Sequence, residues 1–317
     1  WPKPESSGTG SGEIFKLPNW RDGRTQSKIP GPMLFWDLET LQRELDAIEA
    51  ARKDVDLGWE RSKALNARAD ELQREIELYD TNEGRATVDL VVSKEGPDKV
   101  RVAIGEESQV LGANQWSDWY HVTFEINPLI NVHAVTRARV LSLDAPFELY
   151  VSTLDIDPER PPFWQPISQP SAFSGELAQW TGDSYETVGW ACMTNQIKDK
   201  KLPIEVFLED IEFTESWRER MTYAALARDD WDLLFSVFST ADRVQHMLFK
   251  YYDTAHPKHD PAEAAREITF FGARTTLADV IPAIYQQIDR IVGKVMDEFL
   301  RPEDTLLLCA DHGFTSF

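Results

Sequence analysis

WDLLFSVFSTADRVQH, residues 231–246, and TLLLCADHG, residues 305–313, decide how this chain of 317 residues is read. Each opens with a continuous apolar run and closes on an aspartate and a histidine. Runs that are apolar on both faces belong to strands covered by helices on either side, as in a parallel sheet. Pro261–Leu300 between them reads as a long helical stretch, so the order is strand, helix, strand. Upstream lie a helix-like Ser171–Gln179, the apolar Leu202–Leu208 and a helical Glu215–Arg228. These features predict a doubly wound, mostly parallel α/β sheet over residues 161–317.

Ligands of open α/β sheets bind beyond the carboxyl ends of the strands. Both Asp/His pairs stand at such ends. Asp242 and His246 are four apart, so a helix starting there carries them on one face. Asp311 and His312 are adjacent and would diverge on a strand, but a turn lets both reach one ion, and Gly313 offers backbone freedom for it. Carboxylate oxygen and imidazole nitrogen suit zinc or a similar divalent ion. Either pair alone is a weak motif. Their matching positions make the stronger signal.

The rest of the chain divides by texture. Residues 1–35, rich in Gly, Pro and Ser, read as loop. Residues 36–80 read as a helical hairpin or a broken helix. Leu41, Leu45 and Ile48 form one stripe; Leu65, Ala69, Leu72, Ile76 and Tyr79 form the other, with Gly58 between them. The dense charges there are most simply a solvated face, and a coiled coil that binds a partner is the sharper alternative. Residues 85–160 read as a β-rich insertion, with runs at 87–92, 100–104, 120–126, 134–143 and 147–156 that favour antiparallel pairing. Trp116 and Trp119 either cover an edge of that β core or stand exposed to stack on a sugar or base. Pro158–Pro170 reads as an extended connector.

Composition narrows the function. There are 33 basic and 54 acidic residues, a formal charge of −21, which argues against binding to duplex nucleic acid through its phosphates. A bound metal would reverse that charge locally. No run is long and apolar enough for a membrane span, and two cysteines, Cys192 and Cys309, make no disulfide framework. Cys309 reads as a small hydrophobe packed in a buried strand. His256 and His259 read as turn and solvated residues, and His121 and His133 carry no spacing signal. The chain starts at Trp1 inside loop-like sequence and stops after a strand and turn, so it reads as a fragment truncated at both ends. Compartment is left open, with the cytoplasm weakly favoured.

From Trp231 to Phe317 the sequence resembles the alkaline phosphatase superfamily, in its type I phosphodiesterase and nucleotide pyrophosphatase-like branch. The resemblance rests on D-x-x-x-H at 242–246, then Tyr252-Asp253, His256-Pro257, the helix IYQQIDRIV at 284–292 with Gly293, and DHGF at 311–314. Leu149–Pro170, with Trp116–Trp119 upstream, is similar to the β-rich insertion of bacterial members. The resemblance implies the fold of that superfamily and a two-metal hydrolase of phosphoester substrates. Asp242 and His246 would hold one divalent ion and Asp311 and His312 the other, zinc first and manganese as the alternative. The ions would clamp a phosphoryl oxygen and activate a Thr or Ser nucleophile.

The family pattern also places an Asp ligand and the nucleophile before the β insertion, and a further His after DHG; none is found here. Arg21-Asp22-Gly23-Arg24-Thr25 follows no apolar strand and is not assigned. The nucleophile is therefore expected outside this fragment, and the fragment is expected not to turn over substrate. Phosphomonoesterase, phosphonate hydrolase, sulfatase and phosphosugar mutase chemistry stay open as alternatives, as does a non-catalytic binding protein that works through the β region.

Overall fold

The computed structural model describes residues 13–17, 23–33, 38–52, 59–81, 85–127, 130–144, 146–188, 197–198, 201–228 and 230–315. The described residues divide into two compact units, one built on residues 13–157 with 161–164, the other on 165–315 with 158–160.

The first unit is mainly antiparallel β structure. Its strands are β1 (Glu13–Leu17) and β2 (Arg24–Met33), then, after the helices α1 (Leu38–Ala51) and α2 (Trp59–Thr81), β3 (Arg85–Lys94), β4 (Lys99–Ile104), β5 (Glu107–Gly112), β6 (Tyr120–Asn127), β7 (Ile130–Thr136), β8 (Ala138–Ser142), β9 (Phe147–Val151) and β10 (Asp155–Ile156). They form the sheets β2-β3-β4-β5, β1-β9-β8 and β10-β7-β6. Residues 1–35, expected as loop, thus carry two strands. The prolines hid them. Pro30 and Pro32 lie on β2, an edge strand whose register shifts between Pro30 and Met33, where a missing N–H costs no ladder bond.

Alternation builds the β core. Ala86, Val88, Leu90 and Val92 of β3 point inward, joined by Val100, Val102 and Ile104 of β4 and by Tyr120, Val122, Phe124 and Ile126 of β6. Gly31 is required by close packing, since a Cβ there would lie 2.3 Å from the Phe124 ring. The run at 134–143 is two strands in two sheets, with the buried Arg137 between them. Trp116 and Trp119 are internal packing groups. The Arg137 guanidinium lies 4.5 Å from the Trp116 ring and 5.4 Å from the Trp119 ring, and Tyr150 meets Trp116 edge-on at 5.9 Å. The hairpin buries Leu41, Leu45 and Ile48 against Ala69, Leu72 and Ile76. Gly58 and the side chain of Tyr79 lie outside the described residues.

The second unit contains α3 (Phe173–Thr181), α4 (Ile204–Leu226), α5 (Thr240–Tyr252), the single turn α6 (Pro261–Ala264), the hairpin β11 (Glu267–Phe270) and β12 (Ala273–Thr276), and α7 (Val280–Lys294). Two expectations change here. Most of the apolar stretch 202–208 opens α4 rather than forming a strand, with Val206, Phe207, Leu208 and Ile211 buried along its face. Pro261–Leu300 is broken by the β11–β12 hairpin. Phe271 and Gly272, at φ 48° and 72°, make the two-residue left-handed turn such hairpins prefer. The Phe271 N–H is held by the Glu212 carboxylate.

The doubly wound, mostly parallel sheet is not present among the described residues. The chain is a mixed α/β structure whose sheets are small and antiparallel. Residues 231–238 and 305–310 form no helix and belong to no ladder among the described residues. Their apolar side chains face solvent, Leu233, Phe235 and Leu307 each about four-fifths exposed at 85%, 79% and 84%. A parallel ladder needs neighbouring strands contributed through crossovers, and no described strand lies beside either run. Cys309 is correspondingly exposed, not packed in a buried strand. No described helix is long and apolar enough to cross a membrane.

Candidate metal centre

Helix α5 places the first pair. Asp242 lies in its first turn, where the partial positive charge of free N–H groups favours a carboxylate, and His246 follows one turn later. The Asp242 Oδ1 to His246 Nε2 distance is 3.4 Å. The helix is fixed from below by two buried polar contacts with α4. Arg243 donates to Asp210 at 2.8 Å, and the Thr240 hydroxyl donates to the wholly buried Glu215 carboxylate. Val244, Leu248 and Tyr251 bury the opposite stripe.

The segment 305–310 leads to the second pair, of which His312 reaches Asp242. His312 Nε2 lies 3.8 Å from Asp242 Oδ1 and 3.7 Å from Asp311 Oδ2. The His312 N–H donates to Asp311 Oδ1 at 3.1 Å. His312 Nδ1 is 2.9 Å from the Gly313 carbonyl oxygen, which can only accept, so the proton sits on Nδ1 and the Nε2 lone pair faces the carboxylates. The Gly313 carbonyl, then Asp311, and more weakly Asp242, push the His312 imidazole above its usual pKa. Gly313 itself has no positive φ, and a Cβ there would meet nothing within 4 Å. The freedom expected of it is not used.

One histidine from each pair, His246 and His312, thus approaches the Asp242 carboxylate, while Asp311 contacts His312 and is exposed. Both oxygens of Asp242 are buried and accept no hydrogen bond. A buried carboxylate without donors is costly unless a cation faces it. Donor atoms at about 2.0–2.2 Å from a common tetrahedral ion lie about 3.3–3.6 Å apart. The Asp242–His246 separation of 3.4 Å falls in that range, and the Asp311–His312 separation of 3.7 Å lies slightly beyond it. Carboxylate and imidazole donors suit a divalent ion, and each Asp/His pair supplies two of them; among the described residues no three His, Cys, Asp or Glu side chains gather into a group that could hold a metal ion.

The other histidines take structural parts. His256 Nδ1 accepts from the Lys258 N–H, and His259 Nδ1 bonds to the Lys250 carbonyl. His121 is 3.3 Å from the buried Asp157, and His133 bonds to Thr123. Cys192 lies outside the described residues. Sequence reading missed Asp210, Glu215, Thr240 and Arg243, whose pairing depends on how two helices cross, and Phe314, whose ring packs on His246.

A family model for type I phosphodiesterases and nucleotide pyrophosphatases matches residues 143–317, more than half of the chain and including all four of these residues. No curated protein and no solved structure matches the chain. The chain belongs to the type I phosphodiesterase/nucleotide pyrophosphatase family, within the alkaline phosphatase superfamily.

Proposed function

We propose that the chain carries part of the two-metal centre of a hydrolase that cleaves a phosphodiester or pyrophosphate bond. Asp242 and His246 hold one divalent ion, Asp311 and His312 the other, with zinc preferred. The observation that carries this reading is that His246 and His312, one histidine from each pair, both lie within 4 Å of Asp242, whose carboxylate oxygens are buried and accept no hydrogen bond. When bound, the ions supply the positive charge that draws a phosphoryl group and acidifies an oxygen nucleophile. The chain's own residues hold and orient. Asp242 offers two oxygens, His246 and His312 offer Nε2, and the Gly313 carbonyl keeps the His312 proton on the far side of its ring. A chain of formal charge −21 has little other means of attracting an anionic substrate. The reading assigns the nucleophile to none of the four residues, and a Thr or Ser hydroxyl fills that part.

Binding is the direct test. Zinc and manganese affinity of the chain would be measured by competition with a chromophoric chelator, beside Asp242→Ala, Asp311→Ala and the double variant. Each single variant should weaken binding by at least about tenfold. Equal binding by the wild-type chain and the double variant would remove the assignment. So would phosphodiester hydrolysis that survives in the double variant.

A further inference from the structure

Metal-ligating histidines are normally oriented by a hydrogen bond from the ring nitrogen that faces away from the metal. His312 has that bond, to the Gly313 carbonyl. His246 does not, among the described residues. It is half exposed, at 49%, and its ring is met instead by Phe314, edge to face, with centroids 4.9 Å apart and planes at 82°. Phe314 also packs on Phe249, one turn further along α5, at 5.1 Å, and Phe249 continues to Tyr252 at 5.8 Å. His246 and Phe249 are three apart and share a helix face, so the Phe314 ring lies across both.

The position of Phe314 in the chain matters as much as its contacts. Residues 305–313 are exposed throughout and join no strand ladder; Phe314 is half buried. It follows His312 by two residues and Asp311 by three. The turn that carries the second Asp/His pair is thus seated on the helix that carries the first through this ring.

We propose that Phe314 is the positioning residue of the candidate centre. By one contact it orients the His246 imidazole, and by the other it anchors the Asp311–Gly313 turn over Asp242. The inference rests on the metal-binding reading above. It does not make Phe314 a ligand, since a phenyl ring has no donor for a divalent ion. Its effect is on the arrangement of groups that do.

Zinc affinity of the whole chain separates this from a packing role. Phe314→Ala should weaken zinc binding about 10- to 100-fold, while the thermal midpoint of the chain stays close to wild type because the ring caps an otherwise exposed segment. Phe314→Tyr keeps the ring and should restore affinity to within about threefold. Phe249→Ala, which removes the seat and leaves the Asp-His-Gly-Phe motif intact, should weaken binding in the same direction, and it carries the test if Phe314→Ala fails to fold. Wild-type affinity in either alanine variant, with loss in Asp242→Ala, would overturn the inference and leave the metal centre standing. Absence of zinc binding in the wild-type chain would remove the centre itself.

Discussion

The β-rich unit and the two apolar runs beside the candidate centre use the same kinds of residue and end in opposite states. Val88, Leu90, Val92, Val102 and Phe124 are all but sealed from water, while Leu233, Phe235, Val237 and Leu307 are open to it. Hydrophobicity is not the difference. In the β unit, Gly105, at φ 60°, turns β4 directly into β5, and β3 meets β4 after a short turn, so much of the pairing arises locally. The runs at 231–238 and 305–310 are of the kind that pairs in parallel, through crossovers, and none of the described strands pairs with them. A run of apolar residues specifies a strand only together with its neighbours.

The largest expected effects break the sealed side of this comparison. Phe124→Ala removes a wholly buried ring from the β core and should cost about 3–5 kcal/mol. Asp210→Ala removes the carboxylate paired with the buried Arg243 guanidinium under α5 and should cost a similar 3–5 kcal/mol or so. Urea unfolding checks both. A loss under about 1 kcal/mol at Phe124 would mean that the β core is loosely packed. Gly31→Ala tests the same packing by addition. The new methyl would lie 2.3 Å from the Phe124 ring, a clash that should cost about 1–3 kcal/mol.

A smaller effect concerns the buried link between α4 and α5. Burial pushes the Glu215 carboxyl above its ordinary value of 4.5 and Glu219 adds to this, while the Thr240 hydrogen bond, Arg218 and Arg290 pull it back. Between 4.5 and the raised value the native chain keeps a proton that the unfolded chain has lost. Stability contributed by this group therefore falls as pH rises through that window and is level above it. Glu215→Gln keeps an acceptor for Thr240 and does not titrate. Its stability relative to wild type should rise with pH from about 4.5 and then flatten. Melting curves across the pH range would show it, and a flat difference would mean that Glu215 is not desolvated as its burial indicates.

How much of this could be read in advance follows the same division. The β3, β4 and β6 strands and the Leu41–Ile48 and Ala69–Ile76 stripes show in the sequence because period-two and period-3.6 patterns are local. Asp242, His246, Asp311 and His312 stand out in the sequence because each pair sits where an apolar run ends, while the approach of His312 to Asp242 is a product of the fold. The β11–β12 hairpin was hidden because Phe271-Gly272 is an uncommon version of a turn usually marked by Asn-Gly. Pro30 and Pro32 concealed β2. Asp210–Arg243 and Glu215–Thr240 left no local trace, as their partners lie 25 to 33 positions apart and meet only when two helices cross. The parallel sheet was inferred from two runs whose composition suits it, and composition supplies no neighbours.

The smallest expected effect lies on the open side. Phe235 is 79% exposed, so Phe235→Ser removes almost no buried area and should change unfolding free energy by no more than about 0.5 kcal/mol. Phe124→Ser, by contrast, buries a hydroxyl as well as losing the ring. The segment around Phe235 is nevertheless held on its other side. Arg218 donates to the Val237 carbonyl at 3.2 Å, and the Thr222 and Ser236 hydroxyls meet at 2.7 Å, so α4 holds the backbone whatever the outward side chains are. What Phe235→Ser should change is surface. Leu233, Phe235 and Val237 alternate along one face, and an exposed apolar row is an aggregation hazard. The variant should bind less of a hydrophobic dye and stay monodisperse to higher concentration at unchanged stability. A loss of more than about 1 kcal/mol would show that the row is packed in solution and that the contrast between the two regions is smaller than their exposures indicate.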